Sequence, residues 1–347
     1  MSKKRSAKTR GAARGWIAPV ILGTAAAAAA AWYNHRRART AEDRNPPVGR
    51  FLTVDGVRLH YLERGTGPAL VLVHGNGMMI QDFLASGLVD RLSRRYRVIV
   101  FDRPGYGYSD RPRGLWTPRA HATLFEHALD ALGIDEALVL GHSWGTLVAA
   151  ALALQAPHRV RGLVLAAGYY FPTLRADVIL FSPPAIPVVG DAMRYTISPP
   201  LARLMLPGLI AKLFQPAPVT ERFDREIPKE MMLRPIHLRA AAEDAALMTP
   251  AAAEMQDHYG EIEAPVAIIT GADDQIADVG RQSHRLHGAI PHSTFEAIPG
   301  LGHMIHHLAP DAVARAVDRV AEEAASRETG RALPSSAARG RDQALSR

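Results

Sequence analysis

The pentad Gly141-His142-Ser143-Trp144-Gly145 constrains this chain more than any other feature. It follows an apolar run, Ala137–Leu140, and opens an apolar stretch of helical length, 144–156. A serine placed there must turn the chain from strand to helix within one residue. Its backbone is then strained, and side chains at the flanking positions would clash, so glycine at 141 and 145 is what the turn needs. The turn lifts the Ser143 hydroxyl clear of the sheet and sets it at a helix N-terminus. There the backbone N–H of Trp144 points toward charge developing on a bound carbonyl oxygen.

The surrounding pattern has room for such a turn. Strands are expected at 51–55, 58–64, 69–73, 97–102, 137–141, 161–166, 265–270 and 293–298, with helical patterns near 80–94, 118–132, 144–156, 279–288 and 310–325. The runs ALVLV (69–73), RVIVF (97–101) and VAII (266–269) are continuously apolar, as strands covered on both faces must be. Strands alternating with helices predict a mostly parallel, eight-stranded, doubly wound α/β sheet, with an antiparallel hairpin where the first two strands lie close together. The rhythm stops over 169–258, where prolines recur among short helical stretches. This segment is expected to be a helical lid inserted after the sixth strand, dividing the core into 50–168 and 259–325.

The rest of a nucleophilic site can be placed from this frame. His303 follows the last strand in Gly300-Leu301-Gly302-His303 and is the expected base, with His306 and His307 lying further into the next element. Asp274, the third residue after Gly271 at the end of the seventh strand, is the expected acid, and Asp273 is expected to face solvent. The alternative place for an acid, after the sixth strand, reads Gly168-Tyr169-Tyr170 and holds no carboxylate. The order Ser143, Asp274, His303 is the one this topology requires. A second oxyanion donor is expected from the loop His74-Gly75-Asn76-Gly77, with the Asn76 N–H as first choice and Gly77 as fallback, and His74 braces that loop. Tyr169, Tyr170 and Phe171 are expected to line the substrate pocket from the lid. The trio His303, His306, His307 lacks a fourth ligand pattern, so no metal is expected, and no organic cofactor is implied.

Taken together these residues resemble the α/β-hydrolase superfamily over roughly 50–325. The likeness rests on His74-Gly75-Asn76-Gly77, on Asp102-Arg103-Pro104-Gly105-Tyr106-Gly107-Tyr108-Ser109, on the Ser143 pentad, and on Gly271-Ala272-Asp273-Asp274 with Gly302-His303. Haloalkane dehalogenases and epoxide hydrolases of this fold use an aspartate nucleophile. Asn76 and Trp144 resemble the dehalogenase pattern, but serine at 143 departs from it and implies acyl transfer to water. The resemblance therefore implies a Ser143–His303–Asp274 serine hydrolase acting through an acyl-enzyme on an ester-like bond of a hydrophobic small molecule. Perhydrolase, carbon–carbon hydrolase, amidase and thioesterase chemistry stay open, as does a ligand-binding protein with an idle triad.

The termini have a different character. Residues 1–45 carry a net +8 and residues 327–347 a net +3, so of the overall +7 the body between them holds −4. Basicity confined to the ends removes the case for nucleic-acid binding. After a basic tail, 1–15, the uncharged run Trp16–Tyr33 has aromatic ends and just reaches the length of a membrane-spanning helix. It is expected to anchor the chain in a membrane, with a cleaved signal peptide and a secreted or periplasmic product as runner-up, and a disordered leader as the third reading. Its orientation is open. Residues 34–49 are expected to be a linker broken by Pro46-Pro47, and 326–347 a disordered tail. The absence of cysteine removes disulfides and thiolate chemistry.

Overall fold

The computed structural model of the protein describes residues 6–173 and 182–332. Eight strands form one sheet in the order β1-β2-β4-β3-β5-β6-β7-β8. They are β1 (Arg50–Val54), β2 (Val57–Arg64), β3 (Ala69–Val73), β4 (Arg97–Phe101), β5 (Ala137–His142), β6 (Val160–Ala166), β7 (Val266–Gly271) and β8 (Thr294–Ile298). The hairpin β1–β2 and the β2–β4 pair are antiparallel, and every other pair is parallel. Asp55 and Gly56 turn the hairpin, both at positive φ (51° and 75°), as a tight Asp-Gly turn requires.

The continuously apolar strands bury alternate residues on opposite faces. Val71, Val73, Ile99, Phe101, Val139, Leu163 and Ile268 face α4 (Pro118–Ala131) and α5 (Gly145–Gln155). Leu70, Leu72, Val98, Val100, Leu140, Val164 and Ile269 face α2 (Ile80–Ala85), α3 (Leu88–Leu92) and the C-terminal helix Pro310–Ala332. Helix α5 is buried from Gly145 to Ala153, which explains a sequence apolar on every side.

Three expectations about helices need correction. The pattern at 80–94 is two helices, because Gly87 adopts a left-handed conformation (φ 74°) between them. The pattern at 279–288 begins as a wide π-type turn, Gly280–His284, before a short helix over Arg285–Ala289. The C-terminal helix runs to Ala332, beyond the expected start of the tail, and residues 333–347 lie outside the described residues.

The N-terminus departs most. A single helix, α1 (Ser6–Arg44), runs from the basic tail through the expected anchor and most of the expected linker. The linker boundary was misplaced because 34–44 dock on the body. Asn34 Nδ2 donates to the carbonyls of Tyr195 and Thr196, Arg37 pairs with Glu230, and Glu42 pairs with Arg234. The Tyr108 hydroxyl donates to the Glu42 and Asn45 carbonyls, closing the helix ahead of Pro46. Among the described residues no single helix is long and apolar enough to cross a membrane. Of the expected anchor, residues 16–18 and 20 lie outside those whose side chains are described.

Between β6 and β7 the chain makes α6 (Val189–Tyr195), α7 (Ser198–Phe214), α8 (Glu221–Glu226), α9 (Lys229–Met232) and α10 (Pro235–Met255). Residues 174–181 of this insertion lie outside the described residues. Phe214, Phe223, Met231 and Met232 pack with Met78, Met79 and Met304 of the core, fixing the insertion above the sheet's carboxyl edge.

Two glycines separate crowding from freedom. A methyl group at Gly145 would collide with the Val73 carbonyl, whereas one at Gly208, in α7, meets nothing within 4 Å. Gly145→Ala is expected to cost about 2 kcal/mol or more through overpacking. Gly208→Ala is expected to be neutral or to stabilise by up to about 1 kcal/mol. Urea midpoints of the two variants check the contrast.

Candidate active site

Ser143 sits between β5 and α5 at φ 53°, the strained left-handed conformation that the flanking glycines permit. Its N–H donates to the Ala166 carbonyl at 2.9 Å, tying the turn to the end of β6. The oxyanion loop runs just above: a methyl group at Gly75 would lie 3.0 Å from Ser143 Cβ. Ser143 is half-buried, whereas the side chains of its partners are sealed from water.

The base and acid arrive on two loops that brace each other. Methyl groups at Gly271 would strike the carbonyls of Leu301 and Gly302, so β7 and the 300–302 loop lie in contact. Asp273 N–H donates to the Leu301 carbonyl at 3.0 Å, and Gly300 N–H to Asp273 Oδ2 at 2.7 Å. Asp273 is exposed as expected, yet it staples the histidine loop. The next residue turns inward. Asp274 Oδ2 lies 2.8 Å from His303 Nδ1, and His303 Nε2 lies 2.8 Å from Ser143 Oγ. The other oxygen, Asp274 Oδ1, accepts from the N–H groups of Ile276 (2.7 Å) and Ala277 (3.0 Å). With Oδ1 so held, Oδ2 is aimed at the imidazole. In a neutral imidazole the proton drawn to Nδ1 by Asp274 leaves Nε2 as the acceptor, so the geometry selects the tautomer that can take the serine proton.

The oxyanion loop is held from below by a buried ionic knot. The Arg103 guanidinium, fully buried, donates to the His74 and Gly75 carbonyls (3.0 Å each) and to Asp244 Oδ2 (2.6 Å). Arg111 pairs with the other Asp244 oxygen at 3.0 Å. The Tyr106 hydroxyl bridges Asp244 Oδ2 and Asn76 Oδ1, 2.7 Å from each, and Asn76 Nδ2 reaches the Ala241 carbonyl at 3.1 Å. The Trp144 indole N–H donates to the Asp244 carbonyl at 2.9 Å. Both residues expected to donate to an oxyanion are thus locked by their side chains, leaving their backbone N–H groups with no acceptor among the described residues. Gly77 (φ 75°) completes the turn, and its carbonyl accepts from His237 Nε2 at 2.9 Å.

Burial disfavours the charge on Asp244, but Arg103 and Arg111 outweigh it and hold the carboxyl at about 2. Burial, reinforced by Arg103, presses His74 down to about 4. Its neutral form fits the geometry, since Nε2 accepts the Arg103 backbone N–H at 3.0 Å while Nδ1 serves the Gly75 carbonyl. His74 therefore braces the loop.

A second cluster lies behind the histidine loop. Asp82, wholly buried, accepts from His307 Nε2 (2.8 Å) and faces His306 Nε2 (3.0 Å). The His306 ring lies 4.1 Å from that of His142, whose Nε2 donates to the His303 carbonyl at 3.1 Å. Burial, then His306 and His303, hold His142 well below the usual imidazole range. Asp82, His306 and His307 offer one ligand atom each within 4.8 Å of one another, the grouping among the described residues that could hold a metal ion. His303 stands apart from them, turned to Ser143. The 2.8 Å contact of His307 is a hydrogen bond from imidazole to carboxylate, whereas His306 Nε2 and Asp82 Oδ2, 3.0 Å apart, do not meet in hydrogen-bond geometry.

Tyr169, Tyr170 and Phe171, expected to line the pocket from the lid, are instead buried in the core beside α5. Gln282 pins them: its Oε1 accepts the N–H groups of Tyr170 (2.7 Å) and Phe171 (2.9 Å), and its Nε2 donates to the Phe171 carbonyl. The chain leaving β6 stays inside the core for five more residues, 167–171, before the insertion begins.

Residues 68–310 match the family model described as alpha/beta hydrolase fold. An uncharacterised protein of Mycobacterium tuberculosis (strain H37Rv) is 31% identical over 297 residues, covering 82% of this chain and 83% of that protein. Haloalkane dehalogenase 2 of the same strain is 28% identical over 288 residues, covering 78% and 94%. Among solved structures, a thermophilic esterase from Thermogutta terrifontis superposes with a TM-score of 0.65 at 23% identity, covering 80% of this chain and 99% of that one.

Two outcomes follow from the buried charges. Asp244→Ala strands two guanidinium groups in the interior and is expected to cost about 3–5 kcal/mol, read as a lower urea midpoint. Five buried imidazoles have lowered folded values: His74 at about 4, His237 at about 3, His121 and His142 well below the usual range, and His307 below it. Their unfolded values lie near about 6.5. Stability from keeping them neutral is complete above that value and is lost as pH falls toward the folded values, at about 1.4 kcal/mol per pH unit for each group. Urea midpoints at pH 7.5, 6 and 5 are expected to fall steeply; a flat profile would contradict the assignment.

Proposed function

The chain belongs to the α/β-hydrolase fold family and is a hydrolase; from that premise we propose that it is a serine hydrolase cleaving an ester-like bond of a hydrophobic small molecule through an acyl-enzyme. The observation that carries this reading is the relay of two 2.8 Å contacts from Ser143 Oγ through His303 to Asp274. His303 Nε2 takes the hydroxyl proton as Ser143 attacks the carbonyl carbon, and Asp274 stabilises the imidazolium without taking its proton. The N–H groups of Trp144 and Asn76, with Gly77 as fallback, face the oxyanion, each donor being worth about 3–4 kcal/mol in the transition state. His303 then passes the proton to the leaving alcohol. Water, activated by the same imidazole, attacks the acyl carbon and releases the acid. Serine at the position where dehalogenases carry aspartate separates this chain from haloalkane dehalogenase 2. A serine ether formed by alkyl attack would have no carbonyl through which water could release it.

The apolar helices of the insertion over Ser143 support a hydrophobic acyl or alcohol portion. Residues 16–33 are proposed to anchor the chain in a membrane; Ile21, Leu22, Trp32 and Tyr33 stand 50–70% exposed on α1.

The test is hydrolysis of p-nitrophenyl esters from acetate to decanoate by the full chain in mild detergent, since removing α1 would strip the Asn34 and Glu42 contacts from the insertion. Turnover is expected to vanish in Ser143→Ala and to fall about 10⁴-fold in kcat for Asp274→Asn. A folded wild type inert toward every chain length would overturn the esterase reading and favour the narrower acyl or carbon–carbon chemistries of the fold.

A further inference from the structure

Helix α7, SPPLARLMLPGLIAKLF, is apolar but for Arg203 and Lys212, a composition suited to a buried helix or to one facing lipid. Only one side of it is buried, through Ile210 and Phe214. On the other, Ile197, Leu201 and Leu204 stand 58%, 56% and 80% exposed, at positions i, i+4 and i+7 of one stripe that Gly208 and Ala211 extend. Val188 and Val189, just before and at the start of α6, add to the exposed apolar surface. By length and composition alone the bent pair α6–α7 could be a broken membrane span or a re-entrant loop. Apolar patches of this kind mark a surface meant to be covered.

Helix α1 indicates what covers it. Asn34 holds the turn between α6 and α7 through the Tyr195 and Thr196 carbonyls, both at 2.9 Å, and Arg37 and Arg203 share Glu230. The stripe on α7 therefore starts beside the place where the uncharged run of α1 ends in exposed Trp32 and Tyr33. Immediately beyond come Arg36, stacked on the Trp32 ring at 5.2 Å, then Arg39 and Arg44, none with a carboxylate partner among the described residues. A cavity of about 640 Å³ opens there, lined by Trp32, Tyr33, Arg36, Arg37, Arg44 and Lys229. Apolar stripe, aromatic ring and arginine collar follow one another in the order of acyl chains, interface and headgroup phosphates. Acyl chains beside headgroup phosphates match the stripe and the collar together.

We propose that the outer face of α7, with the Trp32–Arg44 segment of α1, is a docking surface for an anionic lipid bilayer. The insertion above Ser143 then rests on the membrane, whether or not α1 crosses it, and an anchor alone would not seat α7 there. The absence of cysteine makes the test direct. The full chain carrying Leu204→Cys, labelled with an environment-sensitive fluorophore, is reconstituted into phosphatidylcholine–phosphatidylglycerol vesicles containing doxyl-labelled lipid. The same label at Asp135→Cys, on the sheet edge opposite Ser143, is the control. The probe at 204 is expected to be quenched several-fold more than the probe at 135. Leu201→Asp in the same chain, or Arg36→Glu with Arg39→Glu and Arg44→Glu, is expected to remove most of the difference. Equal, weak quenching at both sites would overturn the proposal. So would a probe at 204 that is shielded from water but untouched by the lipid quencher, which would show protein contact between copies. The readout is depth rather than turnover, so its failure is distinct from failure of the esterase reading.

Discussion

One buried carboxylate organises the site. Asp244 comes from the insertion, yet both its oxygens are spent on the core: Arg103 and Tyr106 on one, Arg111 on the other. The Arg103 guanidinium also lies 4.4 Å from the Trp144 ring and 4.5 Å from the Tyr106 ring, so one planar cation touches the elbow, the oxyanion loop and the insertion at once. Such a pair adds little net stability over an apolar packing of the same volume. What it supplies is placement, because a shift that unpairs either charge in a dry interior is expensive. The insertion is therefore part of the frame that aims the Asn76 and Trp144 N–H groups, as well as a cover.

Behind the histidine loop the same logic works with imidazole rings. His142 occupies the position beside the nucleophile, and its Nε2 proton is committed to the His303 carbonyl. Its own ring rests against His306, which faces Asp82. The backbone of the base is thus fixed from the side opposite its carboxylate. On that side the loop is clamped as well: a methyl group at Gly302 would strike the Gln215 carbonyl at the end of α7.

Most of this frame was legible because its causes are local. Each parallel strand announces itself by apolar residues on both faces, and the glycines at 141, 145, 271 and 302 mark places where two backbones nearly touch. What escaped was decided by distant partners. Glu243 and Asp244 are adjacent acids in an alanine-rich helix, and nothing nearby says that both reach Arg111 or that Asp244 alone also meets Arg103. Tyr169, Tyr170 and Phe171 look alike whether they line a pocket or fill a core, until Gln282 is seen to hold them. The helical stretch 34–44 read as a linker because its order comes from Tyr195, Tyr108, Glu230 and Arg234.

That docked helix has a mechanical meaning. Ser6–Arg44 would span about 58 Å as a straight helix. Its last eleven residues are riveted to the insertion and to the loop after β4. A cord lets its load wander in three dimensions, whereas a strut does not. Were the far end of this strut held in a bilayer, as proposed above, the strut would set the height and tilt of the opening above Ser143 and leave mainly rotation about its axis and travel in a plane. Encounter with substrate would then be a search over an area rather than a volume, and changing the length of the strut would change what the opening can reach.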